Sequence, residues 1–167
     1  MKYKKIITVI LGLLFILSVL AVFLLLPSPK ISSYTFETET GDKIRVELDT
    51  GAGHRLIKKE EEILVSDKDI AFTLVGIFAP AESQEMYEME FTDISDEPNI
   101  LDSGYGQTKA GQSYHYVAYL NDDGTTKVKI FLRIPSTDCG VVFNCDRAPG
   151  LRKTRNAFNR LKFSAVQ

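Results

Sequence analysis

The sequence of 167 residues predicts an α+β protein. An N-terminal transmembrane helix precedes one domain, in which an antiparallel sheet carries a C-terminal amphipathic helix packed on it. Three observations predict this fold class: residues 6–26 are an apolar run without a charge, several later segments alternate apolar and polar residues, and Leu151–Leu161 repeats apolar residues at helical spacing. Alternation indicates strands with one solvated face, and a helical stripe indicates a helix laid over a sheet.

The apolar run at residues 6–26 has the length of a membrane span. Its 21 residues would extend over roughly 30 Å as a helix, the thickness of a bilayer's hydrocarbon core. Lys2, Lys4 and Lys5 precede the run, so residues 1–5 are predicted to be a cytoplasmic tip. The sequence therefore predicts a single-pass signal-anchor in the cell membrane, with the lipid bilayer as partner of residues 6–26. A linker at 27–33 and an extracellular domain at 34–167 would follow.

A cleaved signal peptide is the alternative for the same run. The apolar part of a signal peptide has about 7–15 residues, which is shorter than this run. The small residues that a cleavage site requires occur near Ala21, inside the run, and near Ser33, well beyond it. Length and the poor cleavage sites favour an uncleaved anchor, and a secreted domain after signal cleavage is the open alternative.

The charge of the chain is divided between its two parts. Residues 30–167 hold all 22 acidic residues and 17 of the 20 basic ones, a net charge of −5. A mildly acidic domain is a poor partner for nucleic acid, so none is predicted. Residues 146–167 are the exception, with six basic residues and one acidic residue.

The early part of the domain has the pattern of strands joined by turns. Strands are predicted at Tyr34–Thr38, Lys43–Leu48, Ile63–Val65 and Ile70–Phe78. After Pro80, which suits the first position of a helix, residues 82–91 are predicted to be helical. Residues 93–106 are polar and rich in turn-forming residues, which predicts an exposed loop.

The clearest pattern in the later part is a β-hairpin. Tyr114–Leu120 and Thr126–Ile134 resemble strands, and Asn121–Gly124 is a turn with glycine where a positive φ is easiest. A further strand is predicted at Gly140–Cys145. Leu151–Leu161 then forms the closing helix, with basic residues mostly outside its apolar stripe.

The two cysteines, Cys139 and Cys145, flank the last predicted strand. At about 3.3 Å per residue, a strand between them separates their Cα atoms by about 20 Å. A disulfide requires about 7 Å or less. The strand and an intramolecular bridge therefore exclude each other, and the sequence predicts two unbridged, buried thiols.

The order of these elements resembles the PsbP/Mog1 type of α/β/α sandwich. The hairpin between Gly111 and Ile134, the strand at Gly140–Asn144 and the closing helix at Asn156–Phe163 carry this resemblance of layout. It implies a non-enzymatic binding or assembly role, as in most members of that fold class, and it implies no individual site residue. The chain also resembles small membrane-anchored proteins of unknown function from Gram-positive bacteria.

No motif in the sequence predicts a catalytic residue, a cofactor or a metal ligand. His54 and His115 are the two histidines, and neither lies at the spacing of a metal site or of a known catalytic motif. An extracytoplasmic hydrolase that uses one of them with nearby carboxylates is the enzymatic alternative.

The candidate interaction surface consists of Tyr114, Tyr116, Arg152 and Arg155. If the two tyrosines face outward they form a rigid aromatic strip, and if they face inward they belong to the core, which we favour. The predicted function is a non-catalytic binding or assembly module, with an envelope protein or a wall component as partner. An assembly subunit of a larger membrane complex is a further alternative.

Overall fold

The computed structural model of this chain describes residues 30–67, 73–80 and 99–166, together with Gly12. These residues contain ten strands and one α-helix: β1 Ile31–Glu37, β2 Lys43–Asp49, β3 His54–Lys59, β4 Glu62–Asp67, β5 Thr73–Pro80, β6 Ile100–Gln107, β7 Ser113–Leu120, β8 Thr126–Arg133, β9 Cys139–Cys145, α1 Leu151–Phe158 and β10 Leu161–Ala165. A single 3-10 turn at Thr50–Ala52 joins β2 to β3.

The strands form two sheets with antiparallel pairing throughout. The larger sheet has the order β3-β4-β5-β9-β8-β7-β6, and the smaller sheet has the order β1-β2-β10. The chain makes two strands of the small sheet, then the whole large sheet, and returns to the small sheet with β10. The first and last described strands therefore lie on either side of β2.

The main core lies between the two sheets. Ile44, Val46 and Leu48 on β2 are completely buried, and they share one cluster with inward-facing residues of the large sheet. Rings bridge the layers: Phe36 of β1 lies 5.5 Å from Phe78 of β5, measured between ring centroids. This is sheet-on-sheet packing, in which alternate residues of each strand fill the space between the layers.

Helix α1 completes the core at one end of the sandwich. Its buried residues are Thr154, Ala157 and Phe158. The ring of Phe158 meets Tyr114 of β7 at 4.9 Å and Phe143 of β9 at 5.3 Å, both edge to face. Edge-to-face contact is a preferred aromatic geometry, so Phe158 fixes the helix on the large sheet.

The predicted α+β class is wrong, because the described domain is mostly β. Strands make up 61% of the described residues, arranged in two antiparallel sheets, and α1 is the one α-helix among them. The error comes from three strands that the sequence does not predict, of which one is β3 at residues 54–59. Residues 100–107 form a strand where a loop is predicted, and residues 161–165 form a strand where the sequence predicts the end of a helix.

The predicted N-terminal transmembrane helix, and with it the signal-anchor and single-pass topology, is corrected as well. Within the described part of the chain, no helix is long and apolar enough to cross a membrane. Helix α1 has 8 residues and extends over about 12 Å, far less than the bilayer's hydrocarbon core of about 30 Å. Residues 6–26, for which the span is predicted, lie outside the described residues except for Gly12, and so does the predicted helix at 82–91.

Other predictions about local structure are confirmed. The strand with Ile44, Val46 and Leu48 on its buried face is β2, and the predicted hairpin is β7 and β8. The last predicted strand is β9, which begins and ends at the two cysteines, and both thiols are free and buried. Their separation along one strand is the physical reason that they cannot form a bridge with each other.

Three aromatic rings of the core lie across glycines of the neighbouring strand. Phe143 of β9 pairs with Gly76 of β5, Tyr116 of β7 pairs with Gly104 of β6, and Tyr114 of β7 pairs with Gly106 of β6. A Cβ atom at Gly76 would overlap the Phe143 ring, and one at Gly106 would overlap the Tyr114 ring. A ring that covers a glycine of the adjacent strand restores the packing that the missing side chain would have provided.

Asp49 connects the end of β2 to two distant segments. Its carboxylate accepts a hydrogen bond from the Gly51 amide at 2.9 Å, which caps the 3-10 turn. The same carboxylate pairs with Arg160, just before β10, at 2.8 Å and with Lys109, between β6 and β7, at 3.4 Å. One side chain thus holds three loops at the same edge of the sandwich.

We expect Gly76→Ala to destabilise the domain by about 1–3 kcal/mol, because the added methyl group meets a ring that is fully buried. Phe143→Leu should lessen the clash with the added methyl group. The loss of stability in the Gly76→Ala/Phe143→Leu double variant should therefore be smaller than the sum of the losses in the two single variants. Denaturant unfolding, followed by tyrosine fluorescence, measures the stability of the wild type, the two single variants and the double variant. Strictly additive effects would show that the ring and the glycine are not coupled.

The stability of the domain should depend on pH through Asp49. The hydrogen bond from Gly51, together with Lys109 and Arg160, lowers the pKa of Asp49 below its ordinary value. Since folding lowers this pKa, the stabilisation is complete above the pKa of the unfolded chain and is lost as the pH falls through the folded value. The unfolding midpoint should therefore decrease as the pH falls below about 4.

Asp49→Ala should lower the stability near neutral pH by about 1 kcal/mol, the cost of a lost cap, and should weaken the dependence on acid pH. Glu39→Ala is the matched control, because Glu39 has no ion pair within the described residues. Urea unfolding at several pH values measures both variants. An acid dependence that Asp49→Ala leaves unchanged would contradict this role.

Candidate functional site

Tyr114 and Tyr116, two members of the predicted interaction surface, lie inside the domain. Tyr114 is 2% exposed and Tyr116 is 7% exposed. Both belong to the face of β7 that carries the main core, and their ring centroids are 6.5 Å apart. The rings therefore do not form an aromatic strip on the surface.

Arg155 of α1 lies directly over these two rings. Its guanidinium carbon is 4.1 Å from the centroid of the Tyr116 ring, and its Nε donates a hydrogen bond to the Tyr114 hydroxyl at 3.3 Å. The Tyr116 hydroxyl in turn donates to the carboxylate of Asp102 on β6 at 3.2 Å. The structure therefore brings three of the predicted residues together as a half-buried network between α1, β7 and β6.

Asn159, the residue after α1, extends the network to the end of β6. Its side chain lies 2.7 Å from the Tyr114 hydroxyl. With the amide oriented to satisfy its neighbours, the nitrogen donates to this hydroxyl and to the carbonyl oxygens of Gln107 and Arg155. Both the middle and the end of α1 are thus fixed to the large sheet by polar contacts.

The electrostatics of this network favour a charged Arg155 and a protonated Tyr116. Burial would lower the pKa of Arg155, but the hydrogen bond to Tyr114 and the influence of Tyr116 and Asp102 raise it above its ordinary value. Burial also raises the pKa of Tyr116, and Asp102 adds to this shift. At neutral pH the Arg155 guanidinium is therefore charged and the Tyr116 phenol is protonated.

Arg152, the fourth predicted residue, lies on the exposed side of α1 beside Lys153. Both residues belong to the first turn of the helix, which contains no acidic residue, and the N-cap residue Gly150 provides no side-chain hydrogen bond. Within the described residues, neither cation has an ion pair. We call Arg152, Lys153 and the half-buried Arg155 the basic face of α1.

Other cations of the same terminal segment are neutralised. Arg160 pairs with Asp49 at 2.8 Å, and Lys162 pairs with Glu47 at 2.9 Å. The excess positive charge that the sequence shows at 146–167 is therefore concentrated on α1 and on Arg147, which precedes it.

A small acidic cleft with a volume of about 80 Å³ lies at the opposite end of the small sheet. Three of its lining residues are acidic, Glu37, Glu39 and Glu61, and most of the others are apolar. The lining residues are Glu37, Thr38, Glu39, Thr40, Glu61, Ile77, Phe78, Ala79, Pro80 and Cys139. Burial raises the pKa of the Cys139 thiol, so this sulfur is a protonated part of the lining at neutral pH.

The two histidines are far apart in the large sheet. His54 begins β3 at one edge, and His115 lies in β7, the sixth strand of the order. At about 4.8 Å per strand, the two strands are about 24 Å apart. His115 packs against Tyr105 of β6, with ring centroids 3.8 Å apart. Across the described ranges, no group of three or more His, Cys, Asp or Glu residues is placed to hold a metal ion.

Sequence reasoning missed Asp102 and Asn159, which complete the network around Arg155. Asp102 was missed because residues 100–107 do not resemble a strand, and Asn159 because residues 151–161 are predicted to be one continuous helix. One signal was present, since glycines at 104 and 106 have the same spacing as tyrosines at 114 and 116. Glycines and aromatic residues at matching alternate positions indicate a cross-strand pair in which rings cover the glycines.

We expect neither native thiol to react with an aromatic disulfide reagent at neutral pH. Cys139 and Cys145 are each 1% exposed, and burial raises the pKa of the Cys145 thiol to about 11. Both should react once the chain is unfolded in denaturant, and the exposed site in Ser33→Cys provides a positive control. Rapid labelling of the native wild-type protein would contradict the buried placement of β9.

Comparison with known proteins assigns no family to this chain. No protein-family model matches the chain, and no curated protein matches it. The resemblance in layout to the PsbP/Mog1 sandwich therefore stays a prediction.

Proposed function

We propose that the domain is a non-catalytic binding module whose basic face of α1 docks an acidic segment of a partner protein. The observation that carries this proposal is the pair of cations in the first turn of α1. Arg152 and Lys153 are exposed there, with no acidic neighbour in that turn and no ion pair within the described residues.

The position of these cations is electrostatically unfavourable for the isolated domain. The N-terminus of a helix carries a partial positive charge. A cation in the first turn therefore destabilises the helix by about 0.3–1 kcal/mol, whereas an anion there would stabilise it. The helix also lacks a side-chain cap at Gly150. An anionic group from a partner would remove both deficits at once, because it neutralises the cations and accepts hydrogen bonds from free backbone amides.

The rest of the domain fixes the helix that carries this surface, and Arg155 with it. Arg155 is fixed by the Tyr116 ring and by the Tyr114 hydroxyl, and Asn159 fixes the end of the helix. A surface that is already ordered loses little conformational entropy when a partner binds, so more of the interaction energy appears as affinity. This supports a binding role for α1 over a purely structural one.

The proposal narrows the predicted binding or assembly role to one surface and one kind of partner. The location of the domain outside the cytoplasm stays a prediction, and so does the alternative of a hydrolase that uses His54 or His115. The proposed binding of an acidic segment depends on neither of these predictions, because it rests on the described residues of α1 alone.

Charge reversal of the basic face tests the proposal. Arg152→Glu/Lys153→Glu should stabilise the free protein by about 0.6–2 kcal/mol, because acidic residues suit the first turn of a helix. The same variant should bind poly-L-glutamate, a probe for acidic segments, at least tenfold more weakly than the wild type. Urea unfolding measures the stability, and fluorescence anisotropy of labelled poly-L-glutamate at several salt concentrations measures the binding.

Arg55→Glu/Lys59→Glu is the matched control, because it makes the same change in net charge at exposed positions of β3. It should leave the affinity within about twofold of the wild type at moderate salt, where distant charges are screened. Equal binding by the wild type and the α1 variant would refute the proposal. Equal losses in both double variants would do so too, since they would indicate an effect of net charge alone.

A further inference from the structure

The outer edge of β6 is an exposed strand edge. The larger sheet ends with β6, and no described strand pairs with its outer side. Two apolar residues of this strand are strongly exposed, Leu101 at 55% and Tyr105 at 76%. Asp102 is the one charged residue among Ile100–Gln107, and the strand contains no lysine, arginine or proline. Such an edge is a template for pairing with another strand.

The smaller sheet protects both of its edges with side chains. At the edge formed by β1, the ammonium group of Lys58 binds the carbonyl oxygen of Thr35 at 2.7 Å. At the edge formed by β10, the side-chain amide of Gln112 binds both the N–H and the carbonyl of Phe163, each at 2.9 Å. These bonds occupy backbone groups that an added strand would require.

The other edge of the larger sheet is protected by charge. Strand β3 carries Arg55, Lys58 and Lys59 within six residues. Cations on an edge strand discourage pairing with a further strand. Among the four edges of the two described sheets, β6 alone has neither cations nor a side chain bound along its middle, and its β-bulge lies at its beginning, between Ile100 and Asp102.

We propose that two copies of this chain associate through their β6 strands, paired antiparallel about a twofold axis at Ser103. The two larger sheets then continue into one another as a single sheet. This is an isologous interface, in which each copy contributes the same strand.

The side chains of β6 are self-complementary in this register. Strand β6 pairs regularly with β7 from Asp102 to Gln107 and has a β-bulge between Ile100 and Asp102. In the proposed register Leu101, at this bulge, is placed opposite Tyr105 of the other copy, and the twofold axis repeats the pair on its other side. Cross-strand pairs of an aromatic and an aliphatic residue stabilise antiparallel sheets. An axis at Asp102 would instead place two carboxylates opposite each other, and an axis at Gly104 would place Leu101 opposite Gln107. Ser103 is therefore the favoured centre.

The same register is complementary in charge. Asp102 of one copy lies opposite Gly104 of the other, and the Tyr116 ring covers that glycine with Arg155 above it. Among the described contacts of Arg155, only Nε donates a hydrogen bond, so its two terminal nitrogens are available. Each Asp102 therefore faces an Arg155 across the axis, and the interface contains two such pairs.

Pairing through β6 also limits the assembly to two copies. Once both β6 edges are used, the combined sheet ends on each side with β3 and its cations. A third copy would meet only protected edges. The expected assembly is a closed dimer and not a fibre.

A disulfide placed on the twofold axis tests this geometry in the full chain. In Ser103→Cys the two new thiols belong to directly opposite residues, whose Cα atoms are about 4.5–5.5 Å apart in an antiparallel pair and so lie within disulfide range. Cys139 and Cys145 are buried, so the new thiol is the accessible one among the described residues. Mild oxidation with detergent present, followed by non-reducing electrophoresis, should give a covalent dimer.

Two controls separate β6 pairing from other association, including association through the apolar run at 6–26. Ser33 on β1 is also an exposed serine on an edge strand, and Ser33→Cys should stay monomeric. Tyr105→Lys in the Ser103→Cys background should reduce the dimer yield at least fivefold, whereas Tyr34→Lys on β1 should not.

Three results would overturn the proposal: no cross-link in Ser103→Cys, equal cross-linking in Ser33→Cys, or a yield that Tyr105→Lys leaves unchanged. Hydrogen exchange of the wild-type chain is an independent measurement that involves no substitution at the axis. The β6 amides from Leu101 to Tyr105 should become more protected as the protein concentration rises. Protection that is independent of concentration would also refute the dimer.

Discussion

The packing of aromatic rings across glycines is the constraint on which the rest of this fold depends. Phe143 occupies the space above Gly76, and the same ring meets Phe158 of α1 and Phe163 of β10. Tyr114 covers Gly106 and meets Phe158 from the other side. The positions of the helix and of the last strand are therefore set by rings that have room only because two glycines lack side chains.

This arrangement couples the surface of α1 to the interior of the domain. Tyr114 and Tyr116 are core residues, yet their hydroxyl groups and ring faces hold Arg155, and Arg155 belongs to the basic face of the helix. A residue chosen as a surface candidate from sequence can thus be buried and still influence the surface. The buried tyrosines position the charge, whereas Arg152 and Lys153 present it to solvent.

Sequence reasoning found the elements whose patterns are strong and missed those that depend on distant partners. Strand β2 and the β7–β8 hairpin alternate clearly, and they were predictable from period two alone. Strand β6 is rich in glycine and polar residues, so its structure comes from the tyrosines of β7 and not from its own propensity. Leu161 fits both the helical stripe after Phe158 and the alternation with Phe163, and only pairing with β2 decides between them.

The return of β10 to β2 has a consequence for how the chain acquires its structure. Strand β2 is synthesised early and pairs along one edge with β1. The strand that pairs with its other edge, β10, follows the whole large sheet in the sequence. Lys162 and Glu47, which form an ion pair between β10 and β2, are 115 positions apart. Contacts between such distant residues form slowly, because the entropy of closing the loop must be lost before the contact stabilises anything. During synthesis, one edge of β2 therefore keeps its backbone N–H and C=O groups without a partner strand until β10 is made, and the small sheet is completed last.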